Sequence, residues 1–223
     1  MAATKKSSAR IDEQIEIGDG TTNYVVSIKG DFDWAGARGR LGVALHNAAT
    51  PRKTSPRMDE IFDGDTVYYG GFAEMEGSWG SIRRDKAEAH YALRAPMNDP
   101  EHVLHQVAQM RQTSKVGEET VNGTTAVHYR GVLTHETVTL RMAKDVRAKV
   151  DTMREQIGGL TVYADAWIDR SGRVVRIRLD WPMGAAGVKT TMNLADHGKP
   201  VRANAPDPGK VVPMPTVGGP LSG

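Results

Sequence analysis

The chain has 223 residues, 29 Lys+Arg against 27 Asp+Glu, a formal net charge of +2, no cysteine and 39% hydrophobic residues. This length gives one large domain or two small ones and buries a core without cross-links. The lack of cysteine excludes a disulfide framework, thiol catalysis and cysteine-based zinc sites, and +2 over such a chain is no nucleic-acid footprint. No run approaches the ~18 continuous apolar residues of a membrane span, and the opening MAATKKSSAR lacks the apolar centre of a signal peptide.

Residues 1–10, made largely of Ala, Lys, Ser and Thr, read as a flexible tether. Tyr24, Val26 and Ile28 then alternate with polar or outward positions, as do Leu41, Val43 and Leu45. That is the period of half-buried strands, joined through Asp31–Gly39. Met58–Phe62 and Thr66–Tyr69 flank Asp63-Gly64, a hairpin signal, and Trp79–Arg83 adds a further strand.

Asp99, Pro100 and Glu101 open a helix with a cap, a favoured first residue and a charge suited to the dipole. Val103, Leu104, Val107, Ala108 and Met110 form its apolar stripe. Glu119–Val121 and Thr125–Val132 follow as strands across Asn122-Gly123, the pair best suited to a type I′ turn. A second helix carries Met142, Val146, Val150, Met153 and Ile157 on one face and ends at Gly158-Gly159.

A hairpin over Thr161–Trp181 turns at Ser171-Gly172, with Val162, Ala164, Ala166 and Ile168 facing the same way as Val175, Ile177 and Leu179. If Trp167 lies opposite Arg176, Asp165 lies opposite Arg178, offering a cation–π contact and a charge pair. Val188–Leu194 is the last strand, and residues 209–223 read as a Pro/Gly-rich tail. Nine or ten strands and two helices in one domain over residues 11–208 predict an α+β fold, a curved antiparallel sheet with helices on its concave face.

No catalytic signature is present: G-x-S-x-G, G-x-x-x-x-G-K-[ST], H-E-x-x-H and G-x-G-x-x-G are all missing. His102 and His105 share a helix but have no third ligand, Asp63 and Asp65 read as a turn, and no cofactor is expected. Arg83, Arg84 and Lys86 read as a solvated basic face. Thioethers at Met110, Met142 and Met153, beside the small Ala164, Ala166, Gly42 and Ala44, suit either a closed core or a space between helices and sheet.

Several segments in order carry a resemblance. They are Asp59–Tyr68, Gly117–Gly123 leading to Val127–Gly131, the long helix, Ala166–Arg176, and Asp196–Val201. Over residues 11–208 this pattern resembles the actinobacterial envelope lipoproteins of the LppX/LprG group, related in fold to the LolA carrier and the RseB/MucB sensors. The resemblance implies a half-barrel over helices, with a hydrophobic cavity that binds or carries lipids or acylated molecules outside the cytoplasmic membrane. An alternative it allows is a sensor or protein-interaction module of the envelope.

Members of that group begin, after a signal peptide, at an acylated cysteine. The expectation is therefore that Met1 starts a trimmed chain, with Ala2–Arg10 left from the tether, and a lipobox upstream of the natural start tests it. The residues expected to line the cavity are Val26, Ile28, Val43, Tyr68, Ala164, Ile168, Ile177 and Leu179 from the sheet. From the helices they are Val103, Leu104, Val107, Met142, Val146, Val150, Met153 and Ile157. The expected partner is a lipid or acylated molecule, with a membrane surface or membrane protein at loading, no nucleic acid, and a monomeric protein. Burying an acyl chain gains ~0.8 kcal/mol per CH₂, so such binding needs no specific polar contact.

Overall fold

A computed structural model describes residues 1–18, 21–47, 57–71, 77–84, 99–140, 144–156, 159 and 161–214. In chain order its strands are β1 (Ser8–Gly18), β2 (Asn23–Asp33), β3 (Arg38–Asn47), β4 (Arg57–Asp63), β5 (Thr66–Gly70) and β6 (Trp79–Arg83). After helix α1 (Pro100–Ala108) come β7 (Arg111–Val121) and β8 (Thr124–Leu133), then α2 (His135–Val138) and α3 (Lys144–Gln156). The strands β9 (Val162–Asp169), β10 (Val174–Met183), β11 (Ala186–Ala195) and β12 (Val211–Pro213) complete the chain. All twelve belong to one open sheet, in the order β12-β6-β5-β4-β3-β2-β1-β11-β10-β9-β8-β7. The pairing is antiparallel except that β12 runs parallel to β6. The fold is a curved antiparallel sheet with helices on its concave face.

The turns follow from residues that tolerate positive φ. Asn122 (φ 49°) and Gly123 (φ 79°) close β7–β8, Gly64 (φ 57°) closes β4–β5, and Gly172 (φ 75°) closes β9–β10. Curvature has a local cause at β2–β3. A Cβ on Gly30 would stand 1.9 Å from the Arg40 carbonyl oxygen, so the strands approach there as only glycine permits. The bend lets side chains from β1 to β6 and β9 to β11 join one apolar cluster with α1.

Both chain ends differ from the expectation. Residues 1–10 are not a free tether: Thr4–Lys6 form a 3₁₀ turn and β1 starts at Ser8. Thr4 is buried and its Oγ1 accepts from the Val174 N–H at 2.9 Å, while the Met1 ammonium donates to the Gly172 carbonyl at 2.9 Å. In the tail, Val211–Pro213 pairs with Trp79–Ser81 as β12. The strand ending at Val121 begins as early as Arg111; its side chains are exposed on both faces, so the stretch carries no alternation to read.

Candidate functional site

Cross-strand register assembles the concave face row by row. Tyr129, Ala166, Ile177, Met192, Glu13, Ile28, Val43 and Met58 are successive partners across β8, β9, β10, β11, β1, β2, β3 and β4. One row along lie Leu179, Thr190, Ile15, Val26 and Leu45. On the other side of that central row, Leu194, Ile11, Gly30, Leu41, Glu60 and Tyr69 run together. The surface is apolar with few interruptions, two of which are the fully buried carboxyls Glu13 and Glu60.

The helical layer sits on this face. Asp99 caps α1 by accepting from the Glu101 and His102 N–H groups at 3.0 and 3.3 Å, which fixes the direction of its stripe. Val103, Leu104 and Val107 enter the cluster with the sheet. The layer is laced by polar bonds. Gln106 Nε2 donates to the Thr137 carbonyl at 3.2 Å, Arg147 Nη2 to the Thr139 carbonyl at 2.6 Å, and His135 Nε2 lies 2.5 Å from Asp151 Oδ1.

Most residues expected to line a cavity share this side of the sheet. Val26, Ile28 and Ile177 are buried in the main cluster with Val103, Leu104 and Val107, and Val43 packs against it. Ala164 is buried beside Leu133, Val138 and Val162, with Leu179 touching both groups. Ile168 is half-buried, opposite Val174. Val150 is buried on α3 but belongs to none of the clusters among the described residues. Val146 and Met153 fall within α3, though their side chains lie outside the description, and Met142 and Ile157 lie outside the described residues.

Tyr68 is a correction. Val67 and Tyr69 turn inward, so Tyr68 stands on the convex face opposite Ile61. Val175 is another, because a bulge between Val174 and Arg176 sends it to the convex face with Trp167. Gly42 and Ala44 also alternate outward, between Leu41, Val43 and Leu45.

Arg84 is likewise not solvated. Its guanidinium is bidentate on Asp99 (Nη2–Oδ1 2.7 Å, Nε–Oδ2 3.0 Å), bonds Glu101 at 2.8 Å, and overlies Phe32 and Phe62 at 5.4 and 5.1 Å. Lys86 lies outside the described residues. His102 turns inward, whereas His105 is exposed with its Nε2 2.6 Å from Gln109 Nε2. Among the described residues no three His, Cys, Asp or Glu groups are placed to hold a metal.

Among the described residues, a cavity opens at each end of the central strands. One of about 450 Å³, where β1, β2, β10 and β11 end, is lined by Ile17, Tyr24, Trp181 and Val188 together with Glu16, Asp180 and Lys189. The other, of about 480 Å³, lies between Ala37, Gly64, Leu140, Arg84 just after β6, and the start of α1 at Glu101 and His102.

The reading of the residues missed Glu13. It is fully buried, and among the described residues no hydrogen-bond donor meets either carboxyl oxygen. Burial pushes its carboxyl well above the ordinary range, and the charges of Glu60 and Asp99 add to the effect. The signal was available, since Ala9, Ile11, Ile15 and Ile17 place the only charged inward position of β1 at residue 13.

The convex face holds a different network. His128 stacks on Trp167 with centroids 4.2 Å apart, its Nδ1 2.8 Å from Glu119 Oε1 and its Nε2 2.6 Å from Asp165 Oδ1. Arg176 overlies Trp167 at 5.7 Å, and the expected register of Trp167 with Arg176 and Asp165 with Arg178 holds. The expected charge pair does not form: Asp165 takes His128 and Arg130, and Arg178 takes Asp180. The bonds of Glu119 to His128 and Trp167 and of His128 to Asp165 make this network a clamp between β7, β8 and β9.

Compared with solved structures, the molecule superposes on LppX, a Mycobacterium tuberculosis lipoprotein, with a TM-score of 0.54 over 91% of this chain and 93% of that one, at 13% identity. LprF from Mycobacterium bovis matches with a TM-score of 0.53 over 92% of each chain, at 15% identity. The chain has the LppX/LprF fold. No family profile matches the sequence. A 31.2 kDa Streptomyces griseus protein encoded between rplA and rplJ, itself uncharacterized, is 23% identical over 89% of this chain and 71% of its own length. Within the LppX/LprF fold of this chain, the face covered by α1 is the candidate site.

Proposed function

We propose that this protein binds a lipid or acylated molecule between the concave face and the helical layer, without catalysing a reaction. The observation that carries the reading is the apolar concave face itself, continuous across the central strands and bordered by the cavity at Ile17, Trp181 and Val188. A long acyl chain laid along it gains affinity from area alone. The lining is Val26, Ile28, Val43, Ala164, Ile168, Ile177 and Leu179 below, with Val103, Leu104, Val107 and Val150 above. The LppX/LprF fold supports a role in the cell envelope, on the outer side of the cytoplasmic membrane, with cargo passed at a membrane surface or membrane protein by a monomer.

Lipid extraction and native mass spectrometry of the purified protein test the reading. Bound acyl species are expected in the wild type. Val150→Trp is expected to abolish them while the melting temperature holds, because the indole takes space that cargo occupies. If the wild type carries no lipid and takes up none from vesicles, the reading is wrong. A Val150→Trp variant that keeps its cargo but loses ~1–3 kcal/mol of stability shows a closed core at that point instead.

A further inference from the structure

Glu13 stands at the middle of β1, halfway between the strand ends where the two cavities open. Its neighbours on that face are Ile11 and Ile15 along the strand, with Met192 and Ile28 across it. A leucine would continue the pattern, yet the position holds a carboxyl with no donor among the described residues on either oxygen. The guanidinium of Arg84 is bonded to Asp99 and Glu101. A buried polar group without a partner costs stability, and native folds keep such groups where something else uses them.

We propose that Glu13 is a specificity-determining residue of the lipid site, hydrogen-bonding an uncharged polar group, such as a hydroxyl, on an otherwise apolar ligand. The inference rests on the lipid-binding reading and narrows its ligand class. A protonated carboxyl offers both an O–H donor and a carbonyl acceptor, which match a hydroxyl. Burial and the negative charges of Glu60 and Asp99 hold the proton on Glu13. The charges of Glu60 and Asp99 that act on Glu13 also oppose an anionic group, so the site selects against a carboxylate. A plain hydrocarbon leaves the carboxyl unsatisfied and binds less well than a chain bearing one hydroxyl.

Three C18 probes differing only at the end group test this: oleyl alcohol, oleate and cis-9-octadecene, presented to the full chain, with uptake measured by extraction and gas chromatography. The wild type is expected to retain oleyl alcohol about tenfold over the other two. Glu13→Leu is expected to melt higher, because the orphaned carboxyl is gone, and to hold alcohol and octadecene equally. Glu13→Gln, which keeps an uncharged donor and acceptor, retains the preference. Equal uptake of the three probes by the wild type, or the same preference in Glu13→Leu, overturns the role of Glu13 and leaves lipid binding standing. Uptake of none overturns both readings.

Discussion

Asp169 and Glu13 are both more than nine-tenths buried, but their surroundings differ in kind. Burial alone would raise the Asp169 carboxyl. The Arg173 N–H and guanidinium and the Ser171 N–H, at 2.8–2.9 Å, outweigh burial and hold it below its ordinary value. Its folded value is depressed, so its contribution is present above the unfolded value of ~3.9 and is lost as pH falls through the folded one. Glu13 has the opposite sign: its folded value is raised, so stability is full below the unfolded value of ~4.3 and declines as pH rises toward the folded one. That decline is at most about 1.4 kcal/mol per pH unit within the window. Urea midpoints at pH 3 to 7 check both. Asp169→Asn is expected to start weaker at pH 6 and converge with the wild type in acid. Glu13→Gln is expected to remove the decline on the side above pH 5, and a wild-type slope there unchanged by Glu13→Gln contradicts the assignment.

At the scale of strands and helices, two glycines on the paired strands β2 and β3, Gly30 opposite Leu41 and Gly42 opposite Lys29, give a sharp contrast. Gly30→Ala forces a Cβ to 1.9 Å from backbone that has no slack, whereas the nearest atom to a Cβ on Gly42 is 3.8 Å away. The first substitution is expected to cost about 3 kcal/mol or more and the second to fall within about 0.5 kcal/mol, both read from chemical denaturation. Equal effects contradict the close approach at Gly30 as the cause of the bend. The same elements show what a sequence states and what it withholds. Turns with obligatory positive φ and a helix start with its own cap are local, and Asn122-Gly123, Ser171-Gly172 and Asp99 were all readable. Facing is not local where both faces are apolar. In β4 and β5, Ile61 and Tyr68 look as oily as Phe62 and Val67, and only the register decides which pair turns inward. The bulge that turns Val175 outward, the approach at Gly30, and the pairing of Arg84 with Asp99 fifteen residues away are tertiary facts. The concave residues on regular strands were therefore legible, and Glu13 was passed over because charge reads as surface until its neighbours are counted.

The molecule as a whole is an open sheet, so it has two edges to protect, and it treats them differently. On β7, the bulges between Arg111 and Ser114 and between Lys115 and Gly117, together with Gln112 at φ 52°, make an irregular, charged edge that is a poor template for another strand. The short β6 has no such distortion; the chain covers it with its own C-terminal segment. Val211–Pro213 pairs along Trp79–Ser81, the Met214 N–H donates to the Ser81 carbonyl at 2.8 Å, and the Met214 side chain occupies the space that a Cβ on Gly80 would take. Removing residues 211–223 frees the outer edge of β6, whose other edge stays paired with β5. Light scattering coupled to size-exclusion chromatography across a concentration series is expected to show the truncated chain associating while the wild type keeps one mass. Restoring the ladder with a synthetic peptide spanning residues 208–216 is expected to reverse the association, because the peptide occupies the same edge. A truncated chain that stays at the wild-type mass throughout means that β6 is too short to recruit a second copy, and that β12 serves stability alone.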